Sequence, residues 1–267
     1  MKASQKQNEF ANSADGALKA NNDQLFRVIA DLKTVVHQRD NALNEMIEAH
    51  FEAMYLLALG ADFREGRDGL RLVRIGAMAK LIARAAGMSD KYCLMIKRAA
   101  PLFDIGMVAI PDALLHKQGE LNDEEWKLWK SHTEIGARIL SSSFDNPLLR
   151  MASEIALTHH EAFKGCGYPA KLAGENIPLS GRIIAIAEYF ETHINNLGVH
   201  VQSTSPDMVL GWIQELSGSR FDPKLVELFQ RNLPQILTTC SEINHRTNSL
   251  QGLIANSKPD LPTKQNN

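Results

Sequence analysis

Apolar residues recur along this chain at intervals of three or four positions, which is typical of helices that bury one face. Alternating apolar and polar runs of the kind that mark strands are scarce. Glycine and proline cluster in a few short stretches between the periodic segments. We therefore predict an all-α fold, a helical bundle preceded by a long N-terminal helix.

The first periodic segment is long and its apolar stripe is narrow. It begins at Asn22, and Arg39 is its one unfavourable position. The stripe comprises Leu25, Ile29, Leu32, Val36, Leu43, Met46 and His50. A narrow stripe favours a dimeric coiled coil, and hence a homodimer. The alternative is one amphipathic helix packed on its own domain.

We divide the chain into four segments. Residues 1–22 are rich in Asn, Gln, Ser and Ala, and we expect them to be disordered. The long helix and candidate dimerisation element occupies 23–58, the helical domain 59–238, and a polar, mobile tail 239–267.

Helix-capping signals divide the predicted domain. Gly87 is placed to end a helix over 70–86, and Ser89 or Asp90 to begin the next, which runs to about Asp104. Asn122 and Glu125 form a capping-box pattern. The helix that they open is expected to carry Trp126, Trp129 and His132, and further helices are predicted over 147–159, 179–195, 206–217 and 222–238.

Composition narrows the classes of partner. The net charge of −2 and the absence of a basic stripe argue against a nucleic-acid partner. No apolar run reaches the roughly 18 residues that a membrane span needs, and the N-terminus lacks the apolar core of a signal peptide. Three cysteines do not make a disulfide framework. We therefore expect a cytoplasmic protein without a membrane partner.

Candidate chemistry is concentrated at His159 and His160, two adjacent histidines at the end of an apolar run. Adjacent side chains on a regular helix point about 100° apart. Both rings can face one centre only where the backbone becomes irregular, and Gly165, Gly167 and Pro169 supply that irregularity. The pattern indicates a metal site.

Four stretches around this pair resemble the HD-GYP family in order, spacing and flanking residues. They are 99–111, 125–137, 158–169 and 177–188, and the resemblance extends from Leu59 to Leu233. It implies an HD-type helical bundle, metal dependence and hydrolysis of cyclic di-GMP or a related nucleotide.

In that family two metal ions lie side by side. The resemblance implies that the ligands of one of them are complete in this chain, with Asp104 as the carboxylate and His132, His159 and His160 as the imidazoles. Three imidazoles and a carboxylate suit Fe, Mn, Zn or Ni.

The ligands of the other metal are disrupted. Arg71 and Phe103 stand where the family has histidines, and Glu188 replaces an aspartate. Arginine stays protonated in proteins and phenylalanine has no lone pair. We therefore predict one divalent metal ion, or none. Arg71 is expected to pair with Glu188 or Asp104, to bind phosphate, or to point into solvent.

Several neighbouring residues have two interpretations each. Arg182 matches an arginine near the substrate, or it forms a salt bridge at a helix end. Lys164 contacts phosphate or is a solvated loop charge. Glu161 orients a histidine ligand or is a surface charge. Met107 replaces a family lysine that binds phosphate, and we expect it to pack in the core.

These departures predict a degenerate HD-GYP domain in cyclic di-GMP signalling, which binds nucleotide or a partner protein with at most weak hydrolysis. One alternative is an active phosphodiesterase with a mononuclear site and Asp104 as a catalytic residue. The other is a scaffold with an empty site. The intact loop at Gly167, Tyr168 and Pro169 implies contact with a diguanylate cyclase (GGDEF) protein, and Tyr168 either shapes this loop or stacks on a base.

Overall fold

The computed structural model describes residues 2–141, 146–194 and 204–246, and within them it contains α-helices and short 3₁₀ turns but no strand. The helices are α1 Lys2–Arg64, α2 Leu70–Ala85, α3 Asp90–Ala99, α4 Asp112–Leu115, α5 Asp123–Lys130, α6 His132–Leu140, α7 Pro147–Thr158, α8 Leu179–Ile194, α9 Pro206–Glu215 and α10 Pro223–Arg246. The 3₁₀ turns are Ala100–Leu102, Ile105–Ala109 and Gly174–Asn176. The all-α prediction is confirmed.

The chain forms two compact units, residues 1–49 and 50–267. The first unit consists of the N-terminal part of α1. This helix begins at Lys2, so the start predicted at Asn22 was too late. The residues before Asn22 include several with good helix propensity, such as Ala and Gln, and these continue the helix. The apolar stripe is exposed on this unit, at Leu25, Ile29, Leu32, Val36, Leu43 and Met46.

The second unit has one large apolar core. The end of α1 contributes Phe51, Tyr55 and Leu59 to it, so the unit begins earlier than the boundary predicted at residue 59. The helix α2 is buried on most of its surface and packs against α3, α8 and α10. Helix α10 continues to Arg246, beyond the predicted end at 238, and most of the predicted polar tail lies outside the described residues.

The capping signals are confirmed. The Ser89 side chain accepts a hydrogen bond from the amide of Tyr92, and Gly87 adopts a positive φ of 78°. Asn122 and Glu125 exchange both capping-box hydrogen bonds, at 2.9 and 2.8 Å. These contacts fix where α3 and α5 begin, because they satisfy amides that have no partner inside the helix.

The segment predicted as one helix from Asn122 through His132 is two helices. The break lies at Ser131, whose hydroxyl donates to the carbonyl oxygen of Leu128 at 2.6 Å. His132 is consequently the first residue of α6. The start of α6 packs closely against the backbone of Gly106. A Cβ atom placed on Gly106 would lie only 1.9 Å from the carbonyl oxygen of His132.

The helix predicted to reach Asp104 ends at Ala99. Pro101 has no amide hydrogen and cannot continue the α-helical pattern. Two 3₁₀ turns follow, and Asp104 lies between them. Among the described helices, none is both long enough and apolar enough to cross a lipid bilayer.

Candidate metal centre

Four side chains meet near the start of α6, the end of α7 and the turn that contains Asp104. One ligand atom from each of Asp104, His132, His159 and His160 lies within 4.8 Å of the others. Helix α7 ends at Thr158, with His159 as its C-terminal cap and His160 beyond it, and both rings reach one point. The structure thus brings together the four residues that the sequence predicts as one ligand set.

Backbone hydrogen bonds orient two of the rings. His132 Nδ1 lies 2.7 Å from the carbonyl oxygen of Trp129, and His159 Nδ1 lies 3.1 Å from that of Ile155. A carbonyl oxygen can only accept, so Nδ1 carries the proton on both rings and Nε2 keeps its lone pair. Fixed rings with a free Nε2 lone pair are the form that binds metal ions.

Both lone pairs face the same carboxylate oxygen. The Nε2 atoms of His132 and His159 each lie 3.4 Å from Asp104 Oδ1. Both Nε2 atoms are buried, and neither has a hydrogen-bond partner within the described part of the chain. Buried polar atoms without a partner are rare and costly, and a metal ion at this point would satisfy both. The residues present therefore fit a metal ion.

The protonation states also suit a ligand set. Burial is the main cause that lowers the pKa of His132 and the pKa of His160. Burial alone would raise the pKa of Asp104, but the adjacent His159 ring, the Arg71 guanidinium and His132 together hold it well below its usual range. Neutral imidazoles and an ionised carboxylate are the states in which these groups bind metal.

Arg71 occupies the other side of Asp104. Its Nη2 donates to Asp104 Oδ2 at 2.7 Å and its Nε donates to Asp62 Oδ1 at 2.8 Å. The guanidinium lies 4.9 Å from the centre of the Phe103 ring. The Arg71 side chain is only 7% exposed, so it does not point into solvent. Of the alternatives predicted for Arg71, the structure contains the ion pair with Asp104.

Phe103 lies next to Arg71, between its guanidinium and the His159 ring. It is fully buried and meets the His159 ring edge-on, with ring centres 5.2 Å apart at 87°. Glu188 lies outside the four-residue group, and its Oε1 accepts a hydrogen bond from Thr192 at 2.9 Å. A cation and an aromatic ring thus occupy the side where the resemblance implies a second metal ion.

Two further carboxylates, those of Asp62 and Glu65, lie near Arg71, and no sequence motif marks them. Asp62 is buried and accepts from both Arg71 and the Gly69 amide. Burial, together with the nearby Asp104 carboxylate and against the opposing Arg71, raises the pKa of Glu65 to about 8. Neither residue lies in a motif, so only the fold could reveal them.

Glu161 organises the loop that follows the histidine pair. It is buried, and its two oxygens accept hydrogen bonds from the amides of Ala170 at 2.7 Å and Leu172 at 3.0 Å. Both predicted roles for Glu161 were therefore wrong, since it neither orients a histidine nor lies on the surface. Gly167 allows the loop to fold back, because a Cβ atom there would lie 2.3 Å from the Ala162 amide nitrogen.

The loop places Tyr168 on the metal centre. The Tyr168 ring stacks on His160, with ring centres 4.8 Å apart at 28°, and the Tyr168–Pro169 peptide bond is cis. An open groove of about 460 Å³ lies beside this ring. It is lined by Asp123, Trp126, Lys127, Lys130 and Tyr168.

Of the two other candidate phosphate-binding residues, Arg182 in α8 has a carboxylate partner and Lys164 lies exposed in the loop. Arg182 pairs with Asp222 and donates from Nε to the carbonyl oxygen of Ile177 at 2.9 Å. This is the salt bridge that the sequence left open. The Lys164 side chain is exposed, and a substrate role for either residue stays a prediction. Met107 is buried beside Ile110 and Leu114, as predicted.

Fold and site together define an all-α domain with a histidine and aspartate metal centre. The HD domain family model matches residues 37–225, which is more than half of the chain. The chain therefore belongs to the HD domain family, as a member of its HD-GYP group.

Several relatives whose names state an activity are similar to most of this chain. The chain is 38% identical over 191 residues to the 3'3'-cGAMP-specific phosphodiesterase 2 of Vibrio cholerae, covering 70% of this chain and 36% of the relative. It is 34% identical over 203 residues to the cyclic di-GMP phosphodiesterase response regulator RpfG of Xanthomonas campestris, covering 76% and 53%. It is 39% identical over 180 residues to a cyclic di-GMP phosphodiesterase of Thermotoga maritima, covering 67% and 48%.

The chain thus spans about a third to a half of the length of these relatives. A crystal structure of a cyclic GMP-AMP-specific phosphodiesterase from V. cholerae superimposes with a TM-score of 0.55 at 21% identity, covering 76% of this chain and 54% of that one. This similarity supports the fold.

Proposed function

We propose that this domain holds one divalent metal ion and binds a cyclic dinucleotide there, with slow hydrolysis. The observation that carries the proposal is the contact of Arg71 with Asp104 Oδ2 at 2.7 Å. It places a fixed guanidinium, backed by Phe103, on the side where the family pattern has a second metal ion. The relatives named above act on cyclic di-GMP or 3'3'-cGAMP, which indicates the class of ligand.

Asp104, His132, His159 and His160 would hold the metal ion. The nitrogen and oxygen donors favour Zn, Fe, Ni or Mn. When bound, a divalent ion supplies a Lewis acid for a phosphate oxygen. The chain itself fixes the ring orientations through Nδ1, keeps the Asp104 carboxylate ionised, and closes the apolar side of the centre with Phe103.

We expect slow hydrolysis because the second metal ion of the family pattern would be missing. Two-metal phosphodiesterases stabilise both the attacking and the leaving oxygen. Each tenfold loss of rate corresponds to about 1.4 kcal/mol of transition-state stabilisation. Arg71 carries one positive charge, and both its Nε and its Nη2 already donate to carboxylates, so it replaces only part of what a divalent ion contributes.

One experiment separates this proposal from its alternatives. The protein is purified without added metal, its metal content is determined by mass spectrometry, and cyclic di-GMP and 3'3'-cGAMP are then titrated by calorimetry while products are followed by chromatography. About one equivalent of metal and binding with slow turnover supports the proposal. Fast turnover with one equivalent supports the active mononuclear enzyme. Absence of both binding and turnover supports the scaffold.

The long helix suggests how the domain assembles. Its apolar side chains lie exposed at three- and four-residue intervals, and exposed apolar stripes of this length are typical of coiled-coil seams. We infer a homodimer through this stripe. Contact of the Tyr168 loop with a diguanylate cyclase remains a prediction from the family resemblance.

A further inference from the structure

The open groove beside Tyr168 has the size and lining of a ligand subsite. Its volume of about 460 Å³ is within the range of about 300–1,000 Å³ that small-molecule sites occupy. Aromatic and positively charged side chains line it, with Asp123 as the one acidic residue. Aromatic rings next to ammonium groups are the surface that single-stranded nucleotides bind, through base stacking and phosphate contact.

Lys130 is held between the two rings of the groove. Its Nζ lies 5.6 Å from the centre of the Trp126 ring and 5.4 Å from that of the Tyr168 ring. Both distances are within the range of about 6 Å over which a cation is attracted to a ring face. The Trp126 side chain is nevertheless 45% exposed, so part of its surface is available to a ligand.

The groove begins one ring away from the metal centre. Tyr168 stacks on His160, and His160 belongs to the ligand set. A molecule with one phosphate at the metal centre would extend over Tyr168 toward Lys130. A cyclic dinucleotide has a second phosphate and two purine bases, which need a site of this kind.

We infer that Lys130 and Trp126 form a second subsite for the cyclic dinucleotide. The Lys130 ammonium contacts the phosphate that is not at the metal centre, and the exposed part of the Trp126 ring stacks on a base. Lys130 thereby supplies the positive charge that Met107, buried in the core, does not. This inference rests on the proposed function, because it assigns a subsite to the same ligand.

The test compares surface variants of the full chain, loaded with metal. Lys130→Gln and Trp126→Ala are each expected to weaken the binding of cyclic di-GMP about tenfold in calorimetry, with unchanged metal content. Trp126→Phe keeps a ring and is expected to retain most of the affinity. Lys91→Gln removes the same charge from an exposed position on α3 and should bind as the wild type does.

The outcomes separate this inference from the proposed function. Wild-type binding that survives in Lys130→Gln or in Trp126→Ala overturns the paired subsite and leaves the proposed function intact. If the metal-loaded wild type binds neither cyclic di-GMP nor 3'3'-cGAMP, the proposed function fails and the subsite fails with it. If Lys91→Gln weakens the binding of cyclic di-GMP equally, the loss of affinity comes from the overall charge of the protein, and the subsite is also overturned.

Discussion

Arg71 and Asp104 are joined by a hydrogen bond of 2.7 Å from Nη2 to Oδ2, while Asp104 Oδ1 faces two histidine Nε2 atoms at 3.4 Å. One carboxylate therefore has a guanidinium on one side and an imidazole pocket on the other. An arginine here keeps a positive charge beside the carboxylate but offers no ligand atom. Asp104 therefore has two imidazole nitrogens on its Oδ1 side and a cation without a ligand atom on its Oδ2 side.

Replacing Arg71 by methionine should destabilise the domain by about 3 kcal/mol, because it leaves the buried Asp62 carboxylate and one side of Asp104 without their cation. Urea denaturation of the metal-free protein measures this loss. Arg71→Lys retains the charge but cannot reach both carboxylates with the same geometry, so we expect an intermediate loss. Wild-type stability in the methionine variant would show that the ion pair contributes nothing.

Restoring both missing imidazoles should rebuild the second half of the centre. The double variant Arg71→His with Phe103→His is expected to bind about two equivalents of metal instead of one, and to hydrolyse cyclic di-GMP faster. Two imidazoles together with Asp104 offer three ligands, which one alone does not. The single variants are the controls, and each should stay near one equivalent.

A folded double variant that still binds one equivalent would contradict the explanation that Arg71 and Phe103 exclude the second ion. In that case Glu188, which replaces an aspartate and accepts a hydrogen bond from Thr192, would be the remaining difference among the metal-ligand positions.

The sequence predicted which four residues come together at this centre, because they lie in recognisable motifs. It could not determine the orientation of Arg71, since Asp62 and Glu65 carry no motif and meet Arg71 only when α1 and α2 fold together. Glu161 was misassigned for a similar reason. Its position next to His160 indicated a ligand partner, but its carboxylate turns to the amides of Ala170 and Leu172.

Helix boundaries were predicted well where capping signals and periodicity agreed, as at Asn122. They were predicted less well where contacts between distant parts of the chain determine where a helix ends. The break at Ser131 is an example. Nothing in the polar and apolar pattern requires it, yet it lets the start of α6 lie against Gly106 and places His132 at the centre.

Gly106 should be indispensable for this arrangement. Gly106→Ala would place a methyl group 1.9 Å from the His132 carbonyl oxygen, so the start of α6 must move. We expect a loss of stability of about 2 kcal/mol or more and weaker metal binding. Gly211→Ala is the matched control, since no atom lies within 4 Å of its Cβ position. It lies inside α9 and should gain up to about 1 kcal/mol. Unchanged metal affinity in Gly106→Ala would refute the link between this contact and His132.

As the pH falls below about 6.5, His132 and His160 should each lower the stability of the metal-free protein, whereas Glu65, whose pKa is raised to about 8, acts in the opposite direction. Burial lowers the pKa of His132 and of His160 in the folded state, so the unfolded chain binds more protons in this range. At pH 5.5 the loss is at most about 1.4 kcal/mol for each histidine. Urea denaturation at pH 7.5 and 5.5 with a chelator compares the wild type with His160→Gln, in which the Glu65 contribution is kept, and the variant should show the smaller histidine loss. The same change of stability between the two pH values in both proteins would contradict the prediction.

The exposed stripe of α1 should hold two copies together. Leu32 is 60% exposed in the middle of the stripe, and Leu32→Asp would place a charge in the seam of a coiled coil. We expect sedimentation equilibrium to give a dimer for the wild type and a monomer for this variant. Thr34→Asp introduces the same charge two positions away, outside the predicted stripe, and should remain dimeric. Retained metal content in both variants would show that the second unit is intact. A monomeric wild type, or a dimer that persists in Leu32→Asp, would rule out the stripe as the dimer contact, because a buried unpaired charge in the seam is too costly to tolerate.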